Sequence, residues 1–372
     1  MPVTGTRKKV FVGMSGGVDS SVTAMLMRDR GYETVGVFMR CYNVAGCAER
    51  DAEDARRVAE RLGIPFYVWD FEEAYKRRVV DYMIEGYRAG ITPNPDVMCN
   101  REIKFGLFLE KALAAGADFV ATGHYVRLVE RGDGPQGTPT YALAAAEDEN
   151  KDQSYFLWTL GQDELRHCLF PIGDYRKADV RAMARAAGLP TADKKDSQGI
   201  CFIGQVSIAD FLKAHISERR GELVTTDGRR VGEHAGAEFY TIGQRHIDAD
   251  FAFPKQGNRN RAPFYVARKD AATNTVVLAE GSDHEELFKK DITLVNLHLM
   301  NPSSFEKTRP AGGPSTVFAR VRYRQPLARA TLASGGGSWT LSFDEPQKFV
   351  APGQSAVFYD ESGEMLGGGI IS

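Results

Sequence analysis

The chain has 372 residues, 43% hydrophobic and 26% charged, a composition that excludes disordered and fibrous classes and leaves room for two or three domains with cores of their own. Its 47 Lys and Arg face 49 Asp and Glu, a formal charge of -2, with 28 basic against 30 acidic residues up to position 216 and 19 of each beyond it. Binding of nucleic acid by blanket positive charge is thereby excluded, DNA is not an expected partner, and any RNA site must be local.

From residue 8, strand-like and helical runs alternate: KKVFVGM, SSVTAMLMRDRG, ETVGVFMR, DAEDARRVAERLG, IPFYVWD and EEAYKRRVVDYMIEGY, extended by IKFGLFLEKALAAG and ADFVATGHY. That rhythm predicts an α/β fold with a parallel sheet covered by helices on both faces. RGDGPQGTP reads as an exposed hairpin or loop, and DYRKADVRAMARAAGLP and SIADFLKAHI as helices. Beyond about residue 217 short strands broken by turn residues predict all-β material. The expected domains are 1–216, α/β and catalytic; 217–283, a small β-rich linker; and 284–372, a β-barrel. No run reaches the roughly 18 apolar residues of a membrane helix, so no membrane is expected and the expected location is cytoplasmic. The five cysteines, Cys41, Cys47, Cys99, Cys168 and Cys201, contain no CxxC pair, which argues against a zinc ribbon or a secreted disulfide scaffold.

The first strand runs into Ser15-Gly16-Gly17-Val18-Asp19-Ser20 and then a helix. Two glycines let the backbone approach a phosphate, while Ser15, Ser20 and helix N-terminal amides supply donors. The lysine of a GxxxxGK[ST] loop is missing, so γ-phosphate transfer machinery is not expected. Asp19 is a candidate to hold Mg²⁺ against a pyrophosphate. SGGVDS after an apolar strand resembles the PP-loop of ATP pyrophosphatases, the adenine nucleotide α-hydrolase-like fold, in which a substrate is adenylated and pyrophosphate released.

Cys99 lies in the Pro-rich TPNPDVMCN, expected to be a surface loop, and Cys201 in DSQGICF, beside a glycine. Such polar settings predict exposed, reactive thiols, whereas Cys168 in RHCLF is expected to pack on a helix. An adenylated oxygen is a good leaving group and a thiolate or persulfide a strong nucleophile, so the two features together imply oxygen-to-sulfur exchange. Asp96 is placed either to move a proton or to cap a turn.

With SGGVDSS, TPNPDVMCNREIKF, ATGHY, KDQSYFLW, DSQGICFIG, YTIGQR and APGQSAVFY in order, the sequence resembles the tRNA-specific 2-thiouridylases over nearly its whole length. The resemblance implies that the C2 carbonyl of a tRNA wobble uridine is adenylated and its oxygen replaced by sulfur from a cysteine persulfide. It places ATP on Gly13, Met14, Ser15, Gly16, Gly17, Val18, Asp19 and Ser20, with Met39 near the adenine and Gly123 closing the pocket. It makes Cys201 the persulfide carrier and Cys99 the partner that resolves it, leaving a Cys99–Cys201 disulfide. Asn94, Pro95 and Asp96 would face the target base. His124, Lys151, Asp152, Gln153, Arg322, Tyr323 and Gln354 would contact tRNA. A persulfide-donating relay protein or cysteine desulfurase is the implied second partner. The chain departs from the family at His246–Phe251, where a glycine-rich stretch is usual.

Arg320, Arg322 and Arg324, spaced by two with no acidic residue from 320 to 330, would present three guanidinium groups on one strand face beside Tyr323 and the basic 255–261 loop. The alternative is an ordinary solvated strand face. Two other functions fit less of the sequence: a ligase adenylating a small acceptor, and a noncatalytic RNA-binding protein.

Overall fold

The computed structural model describes residues 7–42, 48–133, 138–195, 207–251, 262–309, 313–335 and 337–372. Five parallel strands, β1 (Lys9–Gly13), β2 (Glu33–Arg40), β3 (Phe66–Asp70), β4 (Phe119–Ala121) and β7 (Cys168–Leu169), form one sheet in the order β3-β2-β1-β4-β7. Alternation along β1 sorts its side chains between two cores. Val10 and Val12 pack with α1 (Val18–Asp29), α2 (Ala48–Leu62) and the helix Lys177–Ala186, while Phe11 joins the cluster of the helices over 72–88 and 95–114. The strand order reverses direction between β1 and β4, and at such a switch point the carboxyl ends of neighbouring strands open a crevice where ligands bind.

Two expectations need correction. The Pro-rich segment before Cys99 is not a loop: Asn94 caps a helix by accepting from Val97 N–H at 3.3 Å, and Pro95 stands at its first position, where its missing N–H costs nothing. Cys168 lies on strand β7, not on a helix, and is buried.

The predicted hairpin is formed by β5 (Arg127–Asp133) and β6 (Pro139–Ala144), antiparallel. A second five-stranded sheet joins β8 (Gly221–Thr225), β9 (Arg230–His234), β10 (Asp250–Phe251), β11 (Phe264–Asp270) and β12 (Thr275–Glu280). The atypical His246–Phe251 segment ends in β10, which pairs with β9 at the sheet edge. A closed barrel follows, from β13 (Phe288–Leu299), β14 (Ser315–Arg320), β15 (Ala328–Gly335), β16 (Ser338–Lys348), β17 (Ser355–Tyr359) and β18 (Met365–Ile371). Among the described residues no helix is long and apolar enough to cross a membrane.

The expected arginine face is also corrected. β14 ends at Arg320, and the chain then turns through Arg322, where Gln325 N–H donates to the Arg322 carbonyl and Arg324 takes a φ of 64°. Arg320 is half-buried in an ion pair with the buried Asp152 at 3.5 Å, Arg322 donates to the Ile242 carbonyl at 3.0 Å, and Arg324 lies 5.1 Å from the centre of the Tyr323 ring. Three guanidinium groups therefore do not share a face.

Candidate active site

At the end of β1 the chain turns sharply into α1. Gly16 takes a φ of 73°, and a Cβ there would lie 2.3 Å from the Asp51 carbonyl oxygen, so only glycine fits. Gly17 is the N-cap of α1 and no side chain caps that turn, whose amides carry the positive end of the helix. The Ser20 hydroxyl accepts from Ser15 N–H at 3.1 Å and lies 3.2 Å from Ser15 Oγ, pinning the loop across its base. A Cβ on Gly123 would meet Ser20 N at 2.8 Å, so the chain leaving β4 packs directly on the first turn of α1. Met39, at the carboxyl end of β2, brings its methyl against Gly13, while Met14 is buried against Gly36 and Val18 is buried in the core beneath α1. Of the residues expected to hold ATP, Gly13, Ser15, Gly16, Gly17, Asp19, Ser20, Met39 and Gly123 thus lie around one turn at a helix N-terminus, a geometry that suits an anion, while the Met14 and Val18 side chains serve the core.

Asp19 carries partners that sequence reasoning missed. Lys177 Nζ lies 2.7 Å from each of its carboxylate oxygens, and the Tyr125 hydroxyl donates to Oδ1 at 2.9 Å. Gln153 braces Tyr125 in turn, accepting from its N–H at 3.0 Å and donating its own N–H to the Tyr125 carbonyl at 2.8 Å. Tyr125 falls inside the ATGHY motif, but Lys177 sits in an ordinary amphipathic helix with no local signal. The oxygen donors Asp19, Ser15 and Ser20 suit Mg²⁺ held on phosphates, although Lys177 must release the carboxylate before a cation can use it.

A second group lies on the same carboxyl edge. The helix over 95–114 starts with Asn94 and Pro95 buried, Asp96 half-buried, and Cys99 at the start of a π-helical stretch, Cys99–Leu107. The Cys99 side chain is only 6% exposed, so the expectation of an open thiol is corrected: the helix turns it into the core. Lys104, also on this stretch, places Nζ 3.3 Å from His124 Nε2, and His124 Nδ1 lies 2.8 Å from Thr122 Oγ1. An ammonium can only donate, so Nε2 accepts and Nδ1–H donates to Thr122. Burial, with Lys104 adding repulsion, holds His124 well below its ordinary pKa and keeps it neutral. Burial raises the Asp96 carboxyl above the usual carboxylate range, with Lys104 partly opposing it. Lys104 thus stands between a reluctant acid and a neutral imidazole, a role its place inside CNREIKF only hinted at.

The residues expected to touch tRNA divide. Asp152 is buried, accepting from Ser154 Oγ at 2.9 Å and paired with Arg320. The rest of its motif faces the barrel: Ser154 Oγ lies 3.0 Å from the Tyr359 hydroxyl, the Tyr155 hydroxyl donates to the Ser355 carbonyl at 2.9 Å, and Trp158 Nε1 donates to Ser355 Oγ at 3.0 Å. Lys151 and Gln153 are half-buried. The Tyr323 ring packs 4.5 Å from Phe156, and Gln354 donates to the Thr92 and Pro93 carbonyls. Cys201, Cys47 and the 255–261 basic loop lie outside the described residues.

The sequence model of a family described as "tRNA methyl transferase HUP domain" matches residues 8–205, followed by "tRNA methyl transferase PRC-barrel domain" over 209–280 and "Aminomethyltransferase beta-barrel domain" over 293–371. The tRNA-specific 2-thiouridylase MnmA of Streptococcus mutans is 42% identical over 371 residues, covering 98% of this chain and 95% of that protein. Its namesake from Streptococcus thermophilus matches with the same identity and coverage. Among solved structures, an NMN synthetase from Francisella tularensis is 16% identical with a TM-score of 0.34, over 52% of this chain and 67% of that one. The family descriptions, each of one domain, speak of methyl transfer, whereas the curated relatives, each matching nearly the whole chain in a single alignment, are named for thiolation. The chain belongs to the tRNA-specific 2-thiouridylase family.

Proposed function

We propose that this protein is an ATP-dependent tRNA-uridine 2-sulfurtransferase that converts a wobble uridine to 2-thiouridine, drawing its sulfur from a persulfide-donating partner protein. The observation that carries the reading is a chain of contacts at the β1–β4 switch point: Gly123 packs on the first turn of α1, the next residue, His124, meets Lys104, and Lys104 stands on the helix that carries Asp96 and Cys99. One turn suits a triphosphate and the other sulfur chemistry, and both open on the same edge of the sheet.

In this reading the uridine C2 oxygen attacks the α-phosphate of ATP and pyrophosphate leaves, with the α1 amides, Ser15 and Ser20 stabilising its charge. Mg²⁺ held by Asp19 and the phosphates would neutralise the leaving pyrophosphate. The terminal sulfur of a Cys201 persulfide then attacks C2, and AMP departs with the original oxygen. The Cys99 thiolate attacks Cys201 Sγ, leaving sulfur on the base and forming the Cys99–Cys201 disulfide, which an external dithiol reopens. The sulfane sulfur is thereby reduced by two electrons while two cysteines are oxidised. Asp96 shuttles the proton between sulfur and base, a role that its raised pKa suits. Lys151, Arg322 and Tyr323 are carried as RNA-facing positions by the resemblance, and Asn94 and Pro95, which it also names, are buried at the start of the helix. Asp152 and His124, both buried, serve from behind.

The test is in vitro thiolation of unmodified tRNA with ATP and a persulfide donor. Cys99→Ser and Cys201→Ser should each abolish product while ATP still binds, and retained thiolation in Cys201→Ser overturns the persulfide assignment.

A further inference from the structure

Three segments far apart in sequence meet beside the catalytic helix: Thr92–Pro93 ahead of it, Thr241–Gly243 of the central sheet, and 349–355 of the barrel. The Thr92 peptide is held on both sides by the barrel. Its N–H donates to the Pro352 carbonyl at 2.8 Å, and its carbonyl accepts from Gln354 Nε2 at 2.9 Å, a donor shared with the Pro93 carbonyl at 3.2 Å. Gly353 makes this approach possible: its φ is 89°, and a Cβ there would lie 2.9 Å from the Thr92 oxygen. The central sheet adds Thr241 Oγ1, 3.4 Å from Thr92 Oγ1. Beneath the same junction, Phe349 packs where a Cβ on Gly243 would sit.

The connection from this grip to the chemistry is stiff. Pro93 and Pro95 have fixed φ, the Pro93 ring rests on Gly86, where a Cβ would meet it at 2.8 Å, and Asn94 caps the helix. Asp96 and Cys99 follow within the first turns of that helix. The 352–354 turn is bonded directly to Thr92 and Pro93, so its displacement must pass to Thr92 or break these hydrogen bonds.

We propose that the barrel turn is a clamp on the catalytic helix, with Gln354 and Gly353 as positioning residues, so that seating RNA on the barrel sets the placement of Asp96 and Cys99. This deepens the sulfurtransferase reading and departs from the role implied for Gln354, which here spends its amide donors on the protein. Gln354→Met keeps the length of the side chain and removes the donor.

The experiment compares wild type, Gln354→Met and Gly353→Ala in the full-length reduced protein. It follows alkylation of Cys99 by iodoacetamide with peptide mass spectrometry, alongside tRNA affinity and the single-turnover thiolation rate at saturating tRNA. Loss of the clamp should speed Cys99 alkylation about five- to tenfold, the opening expected from one shared hydrogen-bond donor, and should lower the saturated thiolation rate with tRNA affinity unchanged. Unchanged Cys99 alkylation overturns the clamp. So does weaker tRNA binding with an unchanged saturated rate, which would make Gln354 an RNA contact. If wild type fails to thiolate, the sulfurtransferase reading falls, while the alkylation readout still judges the clamp. Should Gln354→Met fail to fold, Gln354→Asn, too short to reach Thr92, takes its place.

Discussion

Lys177 Nζ lies 2.7 Å from both carboxylate oxygens of Asp19, so a cation from the helix Lys177–Ala186 pairs with the one carboxylate of the glycine turn at the start of α1. With side chains 12% and 31% exposed, the pair is too sheltered to count as a surface ion pair. Lys177→Met leaves Asp19 with the Tyr125 hydroxyl and should cost about 1–3 kcal/mol by urea denaturation at neutral pH. A loss under about 0.5 kcal/mol would mean that the pair contributes no more than an exposed one.

Gly16→Ala should be far worse than Gly31→Ala. Both glycines have positive φ, but a Cβ at Gly16 strikes the Asp51 carbonyl whereas nothing lies within 4 Å at Gly31. The left-handed backbone alone costs roughly 1–2 kcal/mol, so Gly31→Ala reads that penalty and the excess at Gly16 reads the collision. Isothermal titration with a non-hydrolysable ATP analogue should show nucleotide binding lost in Gly16→Ala and kept in Gly31→Ala.

Asp96→Asn should separate function from stability. Burial raises the Asp96 carboxyl, so its ionised form is disfavoured in the folded state, and at neutral pH the charge works against folding. The amide removes that penalty: stability measured at pH 7 should stay level or rise. Thiolation should drop about 10²- to 10⁴-fold, the usual loss of a general acid or base. An active variant would leave Asp96 a purely structural place in the first turn of the helix that Asn94 caps.

His124 makes stability depend on pH in the opposite sense to a salt-bridged histidine. Its folded pKa is depressed by burial, so below about 6.5 the unfolded chain takes up a proton that the folded chain refuses. The stabilisation is complete above that pH and is lost as pH falls toward the folded value, by up to about 1.4 kcal/mol per unit. Urea denaturation at pH 7.5 and 5.5 should show a smaller loss in His124→Gln than in wild type. Equal losses would show that His124 titrates freely.

Much of the catalytic half could be read along the chain because its signals are local. A strand, two glycines and a helix start are contiguous at Val10–Ser21, and the alternation of strands and helices up to residue 169 follows periodicities of two and 3.6. The segment at Thr92–Asn100 misled for an equally physical reason. Two prolines break a helix from within but favour it at its first position, and only the cap from Asn94 reveals that Pro95 begins one. The arginines of 320–324 misled because strand spacing presumes that the strand continues, and here it ends at Arg320.

By itself the sequence determined the kinds of chemistry: an anion-binding turn, two cysteines in polar surroundings, and motifs that identify the family. Tertiary structure decided which groups act on one another. Lys177 reaches Asp19 across 158 residues, Lys104 reaches His124 from another element, and Gln354 holds Thr92 across 262. The physical reason is that charge, burial and hydrogen-bond satisfaction depend on distance in space, and a near-neutral composition says nothing of where its few unbalanced groups are brought together.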